Sequence, residues 1–155
     1  MAAYYALNEY RKTKVAGVER IEATGKLVTV KRSEIAMVYP AGIGYDGNTA
    51  NDVFTVHLVG GRKVITEETS FLPIGLISVS EYVRTTQEDG SRLRVITGQN
   101  ILVVHDESIV TFDEAGLCYT IDNDGINSAP CYRIGLRDGS SFFTDAQGKD
   151  DILNY

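Results

Sequence analysis

Tryptophan is absent from this chain of 155 residues, histidine and cysteine occur twice each, and proline occurs three times. Each scarcity excludes something. Cys118 and Cys131 match neither a zinc-ligand spacing nor a redox C-x-x-C pair, so they read as buried thiols, or as a disulfide if their strands are neighbours. No N-x-Ser/Thr acceptor occurs, which removes the sequence basis for N-glycosylation. Long apolar runs are missing too. The longest uncharged stretches are about a dozen residues, Thr69 to Ser80 being one, well short of the roughly 20 that a membrane helix needs. The opening MAAYYALNEYRK carries no apolar signal run, so the expected location is the cytoplasm or a virion. Disorder is excluded from the other side, because 43% of the residues are hydrophobic and only 23% charged. A chain of this length buries about 70% of the surface its unfolded form exposes, so its core needs no metal or disulfide staple.

Basic charge is scarce after residue 32. Residues 1–32 hold seven Lys/Arg against three Glu, a local +4, and the remainder carries −10, giving the net −6. A nucleic-acid binder usually shows the opposite balance, since phosphate neutralisation supplies most of its affinity. No nucleic-acid or membrane partner is therefore expected. The basic end suits an acidic protein surface, including that of another copy of this chain.

What is present is β patterning. Ala3, Leu7 and Tyr10 fall at i, i+4 and i+7, and no β-branched residue precedes Thr13. That spacing predicts a short helix over residues 1–14, ended by Gly17. From Val18 the apolar period changes to two. Hairpins are expected to turn near Thr24-Gly25, at Gly60-Gly61, at Asp89-Gly90, near Asp113 to Gly116, and at Asp138-Gly139. A turn of helix fits Asp145 to Leu153. The fold class is therefore all-β, a hairpin-built barrel or sandwich behind a short N-terminal helix.

The sequence also resembles itself. Phe54 to Glu67 aligns without a gap on Tyr132 to Asp145: Leu58 matches Leu136, Gly61 matches Gly139, and Thr66 matches Thr144. Upstream, Gly25 to Val38 resembles Gly90 to Val104 with one residue of slip. These matches suggest internal duplication, with an arm over 1–14 and β modules over 15–79 and 80–155 packed as one unit. Pairing between the modules would protect strand edges that each leaves open.

The inventory of chemistry is thin. Gly42-Ile-Gly44-Tyr45-Asp46-Gly47 matches G-x-G-x-x-G literally, but a strand pattern rather than a helix follows, so no helix N-terminus would receive a pyrophosphate. Asp122-Asn-Asp124-Gly125 begins like a calcium loop, yet Ile126 and Arg133 stand where further ligands belong, and Asp and Asn beside Gly are ordinary turn residues. His57 and His105 read as solvent-facing strand residues, and neither finds Ser-His-Asp or metal-ligand spacing. No catalytic residue, cofactor or metal is expected. Tyr4, Tyr5, Leu7 and Tyr10 form an aromatic group beside basic residues, suited either to docking on a partner or to covering the barrel.

The expectation is thus a non-enzymatic structural or assembly protein, contacting other copies of itself or another subunit, such as a bacteriophage virion accessory or connector component. The alternative is a soluble β-barrel ligand-binding domain. Its pocket would use the loops 40–52 and 122–130, with Gly42, Gly44, Tyr45, Asp46, Asp122 and Asp124 as contacts.

Overall fold

A computed structural model describes residues 4–71, 76–103 and 109–154. Its strands are β1 (Tyr4–Val15), β2 (Val18–Lys31), β3 (Ile35–Asp46), β4 (Thr49–Leu58), β5 (Lys63–Glu67), β6 (Ile77–Thr86), β7 (Arg92–Val103), β8 (Ile109–Asp122), β9 (Gly125–Leu136) and β10 (Ser141–Asp145). A one-turn helix α1 (Glu68–Phe71) follows β5, and α2 (Ala146–Leu153) follows β10. The all-β expectation and the barrel hold.

The strands close into rings. β1 pairs with β2, β3 with β4 and β4 with β5, all antiparallel. Ile65 of β5 returns to Tyr10 of β1, and Ile21 and Glu22 of β2 lie parallel to Gly44 and Tyr45 of β3. In the second half, β6 pairs with β7, β8 with β9 and β9 with β10. Phe143 of β10 returns to Tyr82 of β6, and Val95 of β7 lies parallel to Tyr119 of β8. Among the described residues, the antiparallel pairing of Val38 of β3 with Leu102 of β7 joins the two rings.

Alternation fills each ring. Leu7, Val30, Ile35, Val38 and Val56 form the first core, and Ile77, Val79, Ile101, Ile134 and Phe142 the second. Ile152 of α2 joins the second core, so the expected helical turn near the C-terminus is there and covers a barrel. Such burial stabilises by about 1.5–3 kcal/mol per large aliphatic side chain.

The expected N-terminal helix is not there. Residues 4–15 are β1, and the spacing of three between Leu7 and Tyr10 comes from a bulge. The β1–β2 register shifts between Asn8 and Tyr10, so both flanking apolar side chains point inward. The hairpin expected at Thr24-Gly25 is likewise a bulge region: β2 runs unbroken, and Gly25 sits within it at φ +78°. The turn expected near Asp113 to Gly116 is an irregularity inside β8, between Glu114 and Leu117. The other three turns fall where expected. The upstream repeat match also needs correction. Val28 pairs with Leu7 as Ile101 pairs with Val79, so Val28 corresponds to Ile101 by pairing and not to a residue near 93.

The first hairpin turns at Ala16-Gly17, and both residues have positive φ, +51° and +80°. Alanine pays a left-handed penalty there that asparagine or glycine largely avoids. Ala16→Asn is expected to stabilise by about 0.5–1 kcal/mol, read as a higher midpoint in urea unfolding. An unchanged or lower midpoint would contradict the assigned turn.

Candidate functional site

Each ring holds one buried tyrosine against a carboxylate-bearing strand end. In the first, Tyr10 is 2% exposed and its hydroxyl accepts a 3.3 Å bond from Asn51 Nδ2. Nearby, Glu67 Oε1 accepts from Ser70 Oγ at 2.8 Å and from Asn8 Nδ2 at 3.2 Å. In the second, the Tyr82 hydroxyl donates to Asp145 Oδ2 at 2.8 Å, while Asp145 Oδ1 accepts from the backbone N–H of Gly148 at 2.9 Å. Asp145 is thus both the N-cap of α2 and the acceptor for a buried phenol. Burial pushes both tyrosines above the ordinary phenol value, and the adjacent Glu67 and Asp145 carboxylates push further.

The thiols sit beside this second centre. Cys118 and Cys131 are each 1% exposed, cluster with Tyr82, and are not joined by a disulfide. Burial, followed by the neighbouring Cys131, pushes the Cys118 thiol up to about 11, and burial raises Cys131 too. Both are therefore protonated and poorly nucleophilic near neutral pH. The sign of the linkage follows. Tyr10, Tyr82, Cys118 and Cys131 all give up protons more readily when unfolded, so their contribution is complete below the unfolded values and fades as pH climbs through the folded ones. The urea midpoint is expected to fall steadily between about pH 9 and pH 11. A flat profile across that window would refute the burial assigned to these groups.

Where the rings meet, His57 departs from expectation. It does not face solvent. Its side chain is 16% exposed, and its Nε2 lies 3.2 Å from Asp138 Oδ2 in the β9–β10 turn. Burial acts to raise the Asp138 carboxyl, but two bonds from Ser140 and the facing His57 outweigh it and hold it below the usual range. Arg137 approaches Glu34 at 4.0 Å across the same seam. Ala36, wholly buried, joins the second ring's core together with the partly buried Met37 and Val59. His105 lies outside the described residues.

The segments expected to be ligand loops are strands. Gly42, Gly44, Tyr45 and Asp46 belong to β3, which turns at Gly47-Asn48 into β4, with Gly44 opposite Asn51 and Asp46 opposite Thr49. The G-x-G-x-x-G match therefore opens no helix. Gly44 is needed for space: a Cβ there would sit 2.6 Å from Val53 Cγ1 and 2.8 Å from Tyr10 Cδ2. Asp122 and Asp124 flank the β8–β9 turn. Asp122 is occupied by it, accepting from Asp124 N at 2.9 Å and from Asn127 Nδ2 at 3.2 Å. The two segments belong to different rings. Asp46 lines an acidic cleft of about 320 Å³ with Asp52, Glu67 and Glu68, whereas Pro130 lines a separate one with Glu114 and Leu117.

Of the expected contact group, Leu7 and Tyr10 are buried in the first ring, Tyr5 packs partly against its core, and Tyr4 is 61% exposed. The structure instead exposes apolar side chains that sequence reading did not single out. Leu27 on β2 and Val110 on β8 are 66% and 62% exposed. Val15 and Val18 flank one hairpin tip, and Ile121 and Ile126 face each other beside another. Their exposure depends on strand parity after the bulges, and no sequence signal places those.

Among the described residues no helix is long and apolar enough to cross a membrane. A comparison of the chain with family models, curated proteins and solved structures finds no match.

Proposed function

We propose that this protein is a non-enzymatic assembly component, acting through protein–protein contacts with copies of itself or another subunit, and that its two rings descend from one duplicated module. The observation that carries the assembly reading is the outward-facing apolar set on long strands, with Leu27 and Val110 as its most exposed members away from the hairpin tips. Covering such side chains with a partner would remove their apolar surface from water. Several features support duplication. Both rings close by the same strand order, and the bulge between Asn8 and Tyr10 recurs between Ser80 and Tyr82. The buried Thr66 and Thr144 occupy matching places before matching acids. On this reading the first module includes β1 and the second begins near Ile77. The setting we favour is a bacteriophage virion, as an accessory or connector component.

Removing residues 1–12 would delete most of β1, so truncation is a poor test. Light scattering of the intact protein from micromolar to millimolar concentration is better. A mass that rises above one chain is expected. A monomer throughout, stabilised against heat by a small cationic ligand, would overturn self-assembly in favour of the ligand-binding reading. That second reading draws its support from the acidic cleft, where Asp46 meets Asp52 and Glu67.

A further inference from the structure

The seam inside the chain is a template for a seam between chains. At the internal seam, β3 of the first ring offers its edge at Val38 to the edge of β7 at Leu102. Pairing registers identify the corresponding edges that remain. Leu27 stands opposite Asn8 as Asn100 stands opposite Ser80, which makes Thr29 of β2 the counterpart of Leu102. Val38 stands opposite Val56 as Phe112 stands opposite Ile134, which makes Phe112 of β8 the counterpart of Val38. Among the described residues, the recorded ladder partners of residues 27–31 are on β1 and those of residues 109–114 are on β9. The chain therefore presents one unmatched edge of the β7 kind on its first ring and one of the β3 kind on its second.

We propose that β8 of one copy adds antiparallel to β2 of the next, with Phe112 opposite Thr29, so that the protein assembles head to tail. This rests on the assembly reading above and on the correspondence between the rings. Two further observations identify a second copy as the occupant. The first is apolar. Ala36, buried at the internal seam with Ile77, Val79 and Ile101, has Val110 as its counterpart, and Val110 is 62% exposed. On the first ring the counterparts of Ile77 and Ile101 are Tyr5 and Val28, both only partly buried. The second is charge. The β2 edge is flanked by the exposed Lys26 and Lys31, and the β8 edge carries the exposed Asp113 and Glu114. The acidic edge would repel another acidic edge and attract the basic one, which selects head-to-tail over like-to-like pairing. Because the two patches differ, the contact is heterologous and repeats from copy to copy into a ring or filament. Thr111 replaces Met37 at the outer seam, so this contact is more polar than the internal one, and its formation depends on protein concentration.

Sedimentation velocity over a concentration series tests this with two charge-reversed proteins, Lys26→Glu/Lys31→Glu and Asp113→Lys/Glu114→Lys. All four sites are exposed, and an unchanged circular dichroism spectrum and urea midpoint establish folding. The unaltered protein is expected to gain mass with concentration. Each variant alone is expected to stay monomeric, and an equimolar mixture to regain association, because each reversed edge then meets a complementary one. Hydrogen exchange in residues 26–31 and 109–114 is expected to slow on concentrating the unaltered protein. Association of both variants as strong as that of the unaltered protein would overturn the edge assignment and leave the assembly reading standing. So would a mixture that stays monomeric while the unaltered protein associates. An unaltered protein that stays monomeric throughout would overturn the edge pairing and self-assembly together.

Discussion

Replacing Asp145 with alanine is expected to cost about 2–4 kcal/mol, because it removes the cap of α2 and strands a buried phenol in the same step. Both carboxylate oxygens are used, one by the Gly148 N–H and the other by the Tyr82 hydroxyl. Tyr82 is 4% exposed, so water does not readily replace the lost acceptor. α2 also holds Ile152 against the second core, and loosening its first turn weakens that packing. Tyr82→Phe removes only the donor and is expected to cost less. The double variant should be less destabilised than the sum of the single ones, since the two share one bond. Urea unfolding of the four proteins checks this. An Asp145→Ala loss below about 0.5 kcal/mol, the range of an ordinary surface change, would rule out the dual role.

Gly44→Ala is the second large effect, expected to cost about 1–3 kcal/mol through overpacking. The new methyl would meet Val53 and the Tyr10 ring, both almost wholly buried and held by the first ring's closure. Neither neighbour is the free end of a flexible side chain, so the backbone or the ring must yield. The damage should be local to that seam of the barrel. Val53→Ala in the same chain makes room and is expected to restore part of the loss. If Gly44→Ala unfolds at the wild-type urea concentration, or if Val53→Ala adds to the damage without relief, the close approach is not what keeps glycine at this position. In the second ring Cys118 lies by Tyr82 and Cys131, with Cys118 opposite Ala129 where the first ring has Gly44 opposite Asn51.

Much of the architecture was legible in alternation and in tight turns. At Gly60-Gly61, Asp89-Gly90 and Asp138-Gly139 a glycine turn signal and a change of direction coincide. Leu58 and Leu136, Thr66 and Thr144 could be paired by eye because β4–β5 and β9–β10 are short, regular and without a bulge. Misreadings gathered on the long strands. Gly25 and Gly116 carry the left-handed backbone of a turn yet lie inside strands, where they let the chain bend without reversing. Leu7 and Tyr10 acquired helical spacing from a bulge. Bending over 12 to 14 residues is what closing a five-stranded ring demands, and it is decided by the closure rather than by neighbours in sequence. The same dependence hid the contact candidates. Leu27 and Val28 are adjacent aliphatics with nothing local to say which one faces out.

Because each ring closes on strands drawn from one half of the chain, synthesis meets the two closures in turn. The first barrel has all five strands once Glu67 has emerged, whereas its edge at Val38 waits for β7, complete only at Val103. During that interval the nascent ring carries an open edge and an uncovered Ala36, and the strand that belongs there has not been made. A neighbouring chain on the same message can supply an identical β7. That open inner edge gives neighbouring chains a route to exchange, and slowing translation between residues 67 and 103 is expected to raise the yield of interlocked dimers.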